Sequence, residues 1–157
     1  MQNTYCLKLH TCKYVIEIYL FFSPDGQKLA TASEDKSVKI WTVSKHKFVT
    51  SFIGHDSWVR VAKFAPEEEI VATVSDDRTN RLFDIRSGKE IHAFKEPKGF
   101  ATHLDFHPSG TCIGVATSDK KVKVYDLRMR RLQQSYSTHK GPVSQVSFHP
   151  NGNYLGM

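Results

Sequence analysis

The feature that most constrains this chain is a five-residue phrase that recurs at a fixed spacing. It reads FHPSG at Phe106 and FHPNG at Phe148, which are 42 residues apart (148 minus 106). The same step taken backwards reaches FAPEE at Phe64 and FSPDG at Phe22. Four copies at one period predict repeated supersecondary units, because a period of roughly 20 to 50 residues is typical of repeat architectures.

Other positions keep the 42-residue step, so the whole unit is repeated rather than the phrase alone. They are a proline, an acid, an aromatic six residues after the acid, and a second aromatic. The four series are Pro24, Pro66, Pro108, Pro150; Asp35, Asp77, Asp119; Trp41, Phe83, Tyr125; and Phe52, Phe94, Tyr136.

The third unit shows what one repeat encodes. In FATHLDFHP, apolar Leu104 and Phe106 alternate with polar His103, Asp105 and His107. This alternation is typical of a half-buried strand. We therefore expect the polar residues on the opposite face from Leu104 and Phe106, with Asp105 and His107 facing solvent.

The repeated phrase ends this strand. Pro108 has no amide hydrogen for a strand ladder, and Gly110 tolerates the left-handed φ angles that close a tight turn. TCIGVAT and VKVYD then predict two more strands, and RLQQSYS predicts a less regular fourth. In VKVYD, the two valines are expected to face inward and Lys121 and Lys123 outward.

Each unit thus predicts a four-stranded antiparallel sheet without a helix. Such a sheet has two faces to cover and two open edges, so it is not stable by itself. Radial stacking of copies covers both faces, and about 40 to 45 residues with four strands is the signature of a β-propeller blade. The predicted fold class is an all-β propeller.

The period divides the chain into five parts. They are a lead segment at 1–21 that matches the repeat poorly, a partial first repeat at 22–53, repeats at 54–95 and 96–137, and a truncated fourth repeat at 138–157. These make about three and a half blades, whereas a closed ring needs about four to eight. We therefore expect a fragment or truncated product of a longer protein, with open edges that favour self-association.

Composition argues against several other classes. Three cysteines without paired C-x-x-C spacing favour neither a disulfide framework nor a zinc ribbon, and they favour a reducing, intracellular compartment. The apolar run from Tyr14 to Phe22 is interrupted by Glu17 and is far shorter than the roughly 20 residues of a membrane helix. It is interpreted as a core strand, and no membrane partner is predicted.

Basic residues account for the net charge of +6 and form two local clusters. One interpretation is solvated strand faces, and the other is a basic surface for an acidic partner. No aromatic-plus-basic RNA or DNA motif accompanies them, so no nucleic acid is predicted. The clusters are Lys120, Lys121, Lys123 and Arg128, Arg130, Arg131.

A metal site is the alternative interpretation of His103, Asp105 and His107, because two imidazoles and a carboxylate can form a zinc ligand set. The matching positions in the other units do not repeat it. We therefore predict no metal, no cofactor and no catalytic residue.

At this point the chain resembles the WD-repeat family. GH stands at Gly54 and His55, ASED precedes IWT, VSDD precedes LFD, and ATSD precedes VYD. The resemblance implies a buried chain of hydrogen bonds from aromatic to hydroxyl to imidazole to carboxylate, which would make these side chains structural. The residues implied are Ser33, Asp35, Trp41, His55, Ser75, Asp77, Thr117, Asp119 and His139.

Several positions depart from the WD-repeat pattern. Lys13 and Pro97 stand where the first and third units should have the histidine, and Phe83 cannot donate a hydrogen bond. Asn80 replaces a valine, and Glu68 replaces the turn glycine. We expect these units to be less tightly locked than ideal ones.

A closer resemblance covers roughly Phe22 to Leu155. WVRVAKFAP, GFATHLDFHPSGTCI and VSQVSFHPNGNYL, in this order, are similar to the proteome-of-centriole protein 1 family of centriolar WD-repeat proteins. That resemblance implies a seven-bladed propeller and a non-catalytic scaffold of centrioles, centrosomes and basal bodies that supports centriole stability and cilium formation. Its implied partners are centriolar proteins and tubulin or microtubules. The alternative is a WD-repeat adaptor of another complex, such as a ubiquitin-ligase substrate receptor or an RNA-processing subunit.

Partner contacts are expected where the loop before each first strand and the turn between the second and third strands open on one face. Exposed aromatics are common interface anchors. The alternative is that Trp58 and Phe100 only cap the packing of the blades. The candidate residues are Glu34, Trp58, Asp76, Phe100 and Ser118.

Overall fold

The computed structural model describes residues 5–9 and 16–157, with side chains from Tyr19 onward. All regular structure in these ranges is β-strand, organised in consecutive antiparallel sheets. The predicted all-β fold of successive propeller blades is confirmed. Within the same ranges, no helix is long and apolar enough to cross a membrane.

Blade I is a five-stranded sheet in sequential order. Its strands are β1 (Tyr5–Leu9), β2 (Ile16–Phe22), β3 (Lys28–Ser33), β4 (Ser37–Thr42) and β5 (Lys47–Ile53). Most of the predicted core strand at 14–22 is therefore β2, while residues 14 and 15 lie outside the described ranges. So do residues 1–4 and 10–13 of the lead segment.

Blades II and III are four-stranded, and two short strands follow them. Blade II has β6 (Val59–Phe64), β7 (Ile70–Ser75), β8 (Thr79–Asp84) and β9 (Glu90–Lys95). Blade III has β10 (Ala101–Phe106), β11 (Cys112–Thr117), β12 (Val122–Asp126) and β13 (Arg131–Tyr136). The final segment pairs β14 (Ser147–Phe148) with β15 (Leu155–Gly156).

The repeated phrase forms the turn after the first strand of each unit. Its closing residue has φ of 71° at Gly26, 69° at Gly110 and 77° at Gly152, a region that favours glycine. Glu68 adopts φ of 59° at the same position without being a glycine. Its carboxylate accepts a hydrogen bond from the Asp25 amide at 2.8 Å, so this side chain links the turn to blade I.

Two β-bulges recur with the sequence period. The pairing of β6 with β7 skips Arg60, and that of β10 with β11 skips Thr102. A second bulge skips Val49, Ile91 and Gln133 in the outer strands. A bulge places an extra residue in one strand and changes the direction of its side chain. The 42-residue period therefore repeats the irregularities as well as the strands.

The core lies between blades rather than within one blade. One buried cluster joins Phe21 of blade I to Val74 of blade II and Leu104 of blade III. A second cluster joins blades I and II, and a third joins Ala116 of blade III to Val146. Burial of apolar surface contributes roughly 25 cal/mol per Å². The blades therefore stabilise one another.

Two side chains that the alternation places in solvent are buried instead. Asp105 is 4% exposed and lies between blades, where it accepts hydrogen bonds from Lys63 Nζ at 3.1 Å and the Phe148 amide at 2.8 Å. Lys123 is also 4% exposed and donates to Glu96. The outward prediction for both is wrong, because each sheet is covered on two faces and the polar side of a strand meets the next blade.

Leu104→Ala tests the shared core. Leu104 is fully buried among side chains from three blades, so truncation is expected to lower the free energy of unfolding by about 2 to 5 kcal/mol. Chemical denaturation of the two proteins measures this difference. The control is Leu132→Ala on β13, where the side chain is 47% exposed and the expected loss is within about 0.5 kcal/mol. Equal losses for both variants would contradict the interblade core.

Candidate functional site

The candidate contact residues of blades II and III are held in place by the backbone. The Asp76 amide donates to the Trp58 carbonyl at 3.0 Å, and the Ser118 amide donates to the Phe100 carbonyl at 2.9 Å. The Phe100 amide donates in turn to Ser118 Oγ at 3.0 Å. Each entry loop is thereby fixed against the turn between the second and third strands, on the same side of the blade.

Arg60 connects the two blades on this face. Its guanidinium forms a two-point ion pair with Asp76, with Nη2 at 2.8 Å from Oδ2 and Nε on Oδ1. The same guanidinium carbon lies 5.0 Å from the centre of the Phe100 ring, which is cation–π geometry. Arg60 was not among the contact residues predicted from the sequence. The one signal for it was that the equivalent position in the next unit, 42 residues later, is Thr102 rather than arginine.

Trp58 is the most exposed aromatic of this group, at 47%. Phe100 is half-buried beneath Arg60, so it contributes to packing between blades as well as to the face. Glu34 occupies the corresponding turn of blade I and is half-buried. Among the described residues, no hydrogen bond or ion pair joins Glu34 to the other four candidate residues. We refer to Trp58, Arg60, Asp76, Phe100 and Ser118 as the entry face.

Among the described residues, the hydrogen-bond network is most complete in blade II. His55 Nδ1 donates to Asp77 Oδ2 at 2.7 Å, which leaves Nε2 to accept from the Thr73 hydroxyl at 2.7 Å. The hydroxyl next to the imidazole is thus Thr73. The Ser75 hydroxyl instead donates to the Ser57 carbonyl at 3.1 Å and accepts a hydrogen bond from the Asp77 amide.

Both ionisable groups of this pair have shifted pKa values. Burial lowers the pKa of His55 despite the neighbouring carboxylate, so the imidazole is neutral at pH 7. Burial opposes ionisation of Asp77, but hydrogen bonds from Thr79 and His55 outweigh it and lower its pKa to about 2. A charged acceptor and a neutral imidazole together fix the loop before β6.

Blade I uses a shorter connection, because its histidine position is Lys13. Trp41 Nε1 donates to Thr31 Oγ1 at 3.3 Å, and Thr31 is the counterpart of Thr73. Ser33 Oγ accepts the Asp35 amide at 3.1 Å. Asp35 accepts from Ser37 within its own turn, and half of its side chain is exposed. These two residues therefore stabilise the turn between β3 and β4.

Blade III replaces the histidine network with a glutamate. Glu96 is fully buried and accepts from the Tyr125 hydroxyl at 2.6 Å, from Asn80 Nδ2 at 2.8 Å and from Lys123. Asn80, which replaces a valine, thus joins blade II to this carboxylate. The sequence showed Pro97 at the histidine position but gave no reason to select the acid just before it.

The remaining network residues are Thr117, Asp119 and His139. The Thr117 hydroxyl contacts Asp119 and the Lys121 carbonyl within the β11–β12 turn. His139 Nε2 is buried without a hydrogen-bond partner among the described residues. The position corresponding to Asp77 and Asp119 in its unit lies beyond residue 157.

The structure gives His103, Asp105 and His107 separate partners. His103 Nδ1 accepts the Val146 amide at 3.4 Å, Asp105 binds Lys63, and His107 contacts Ser109 Oγ at 2.6 Å. In the described part of the chain, no group of three or more His, Cys, Asp or Glu side chains is close enough to hold a metal ion.

Asp77→Asn tests the blade II network. The change removes the charge that accepts from His55 while keeping the side chain's size, so we expect a loss of about 2 kcal/mol in unfolding free energy. Asp35→Asn is the matched control, with an expected loss below about 1 kcal/mol because half of the Asp35 side chain is exposed and its 3.6 Å ion pair with Lys39 lies at the surface. Equal losses in urea denaturation would contradict the difference between these blades.

A pH titration tests the burial of His103. Burial, followed by the charge of Lys63, lowers the pKa of His103 to about 4, against 6.5 in the unfolded chain. The unfolded chain therefore takes up the proton first, and stability falls as pH decreases from 6.5 to 4. Between pH 7 and 4.5 we expect His103 to contribute a loss of about 2 kcal/mol.

His103→Gln should reduce this loss without abolishing it, because His55 also has a lowered pKa. Unfolding free energies of both proteins at pH 7, 5.5 and 4.5 measure the difference. An identical pH dependence in the two proteins would contradict the burial of an uncharged His103.

Two family models match the chain. The model described as WD domain, G-beta repeat, matches residues 1–42. The model described as Anaphase-promoting complex subunit 4 WD40 domain matches residues 63–151, more than half of the chain. Both descriptions agree with the blades and their periodic turns.

Individual relatives match shorter segments. The Lissencephaly-1 homolog of Dictyostelium discoideum is 47% identical over 36 residues, 23% of this chain and 9% of that protein. The Notchless protein homolog of Arabidopsis thaliana is 51% identical over 37 residues, which are 24% of this chain and 8% of that protein. The Nuclear distribution protein PAC1 of Komagataella phaffii is 37% identical over 46 residues, which are 29% of this chain and 9% of that protein. The matches thus span less than a tenth of each relative. One WD40 family model alone matches more than half of this chain, and the chain therefore belongs to the WD40-repeat family.

Proposed function

We propose that this protein is a non-catalytic interaction scaffold of centrioles and basal bodies, where it supports centriole stability and cilium formation. The WD40 blades supply a rigid platform, and fold alone does not select among the partners of such platforms. Support for the centriolar assignment is the resemblance of the segments at 58–66, 99–113 and 143–155 to the centriolar WD-repeat family. The proposed partners are centriolar proteins and tubulin or microtubules.

The entry face is the observation that carries the scaffold proposal. It presents Trp58, 47% exposed, beside an Arg60–Asp76 ion pair that is already ordered. Tryptophan and arginine are enriched among residues that contribute most to binding energy. Side chains that are fixed before binding lose less conformational entropy when a partner docks. The face therefore has the composition and rigidity of a protein-docking surface.

A second candidate is an adaptor subunit of another complex, such as a ubiquitin ligase or an RNA-processing assembly. The match to the WD40 domain described for anaphase-promoting complex subunit 4 favours this class. The two candidates differ in location: centrosome and cilium base for the first, and diffuse nuclear or cytosolic signal for the second.

Imaging the endogenous protein in dividing cells together with a centriole marker tests the proposal. An antibody against residues 96–138 recognises a segment of the chain that includes all four strands of blade III. Puncta on centrioles are expected. A diffuse signal would contradict the centriolar role and favour the adaptor.

Trp58→Ala at the endogenous gene is expected to weaken recruitment at least about tenfold, because a buried tryptophan anchor at an interface contributes about 2 kcal/mol or more. Quantitative centriolar fluorescence measures the effect. Tyr154→Ala is the control, since Tyr154 is 69% exposed and lies outside the entry face. Unchanged recruitment of a folded Trp58→Ala protein would contradict the docking role of this face.

A further inference from the structure

A cavity of about 640 Å³ lies between the outer strands of blades II and III. Its walls come from β9 and the linker that follows it, from β12 and the turn before it, and from β13 and the turn before it. The volume falls within the roughly 300 to 1,000 Å³ of small-ligand sites. The strand order alone does not require a concave site at this point.

The lining of this cavity is strongly basic. Six of its side chains are lysine or arginine, and the only acid among the lining residues is Asp119, which lies 4.0 Å from Lys121. The six are Lys95, Lys98, Lys121, Lys123, Arg130 and Arg131.

These cations differ in how they are paired. Lys123 is paired with the buried carboxylate of Glu96, and Lys121 lies near the carboxylate of Asp119. Lys95, Lys98, Arg130 and Arg131 are exposed, and the described chain provides no acidic partner for any of the four. Four uncompensated charges around one cavity repel one another and raise the local concentration of anions.

The chemistry favours phosphate groups over the carboxylates of an acidic peptide. Adjacent Arg130 and Arg131 carry planar guanidinium groups, which bind phosphate through two parallel hydrogen bonds. The charges surround one bounded cavity rather than following an extended track. A compact ligand with several phosphates can contact cations from both blades at once, whereas a peptide would place most of its charges outside.

We infer that this interblade cavity is a binding site for clustered phosphates of the inositol phosphate type, free or as a lipid headgroup. Its key contacts are Lys98 from the blade II side and Arg130 and Arg131 from the blade III side. The inference is independent of the entry face, because none of the entry-face residues lines the cavity.

Calorimetric titration of the 157-residue chain with inositol hexakisphosphate tests the inference. Saturable one-to-one binding is expected, and Arg130→Gln with Arg131→Gln should weaken it at least about tenfold, because the double variant removes two charged hydrogen-bond donors to phosphate. The matched control is Lys45→Gln with Lys47→Gln. This pair removes the same charge near the corresponding turn of blade I and should change the affinity less than about twofold.

Further arms identify the source of the phosphates. Vesicles containing phosphatidylinositol 4,5-bisphosphate that retain the wild-type chain, but not the arginine variant, indicate a headgroup; binding of the free inositol phosphate alone indicates a soluble ligand. Inorganic phosphate at equal concentration should bind at least about a hundredfold more weakly, because it offers a single phosphate.

Three results would overturn the inference. They are no binding of inositol hexakisphosphate, equal affinity of the arginine variant and the wild type, or tighter binding of a polyglutamate peptide at the same residues. Arg130 and Arg131 are exposed, so their replacement is not expected to unfold the protein. Circular dichroism of the arginine variant and of the lysine control checks that both are folded.

Discussion

Every blade of this protein depends on burial of both faces of a small sheet against its neighbours. A lone four-stranded sheet cannot cover its apolar side chains, and the buried clusters here join side chains from two or three blades. The inner strands β6 and β10 contact both each other and the flanking units, so they couple the whole array. Stability is therefore shared between adjacent repeats, as expected for repeat proteins.

The polar connections within this common framework differ from blade to blade. Blade I joins Trp41 to Thr31, blade II joins Asp77 to His55 and Thr73, and blade III joins Tyr125 to Glu96. Most of the polar groups buried in these connections have a hydrogen-bond partner, as is usual for polar atoms in a core, whereas Asn80 Oδ1 is buried without one. The backbone period is thus conserved more strictly in this chain than the side chains that lock it.

The sequence was sufficient to predict the strands, the turns and the sheet type, because period, alternation and the proline phrase act locally. It was insufficient for contacts between blades. Asp105 and Lys123 look solvent-facing when one strand is considered alone, yet each binds an opposite charge between packed sheets. Ser75 was expected beside the imidazole, but Thr73 holds that position, because a two-residue step keeps a side chain on the same face of a strand. Within the entry face, the role of Arg60 could be recognised only from the structure, because the direction of its side chain is set by a β-bulge.

The recurring bulge in the first strand has a consequence for how such repeats diverge. Arg60 and Thr102 are both skipped by strand pairing, yet one lies against the Phe100 ring and the other donates to the Val143 carbonyl at 2.6 Å. Each reaches the following unit without contributing a pairing position to its own ladder. A single codon at this place can therefore change the chemistry between two neighbouring blades while strand register is untouched. Duplicated units can acquire individual junctions in this way before any of them acquires a new loop.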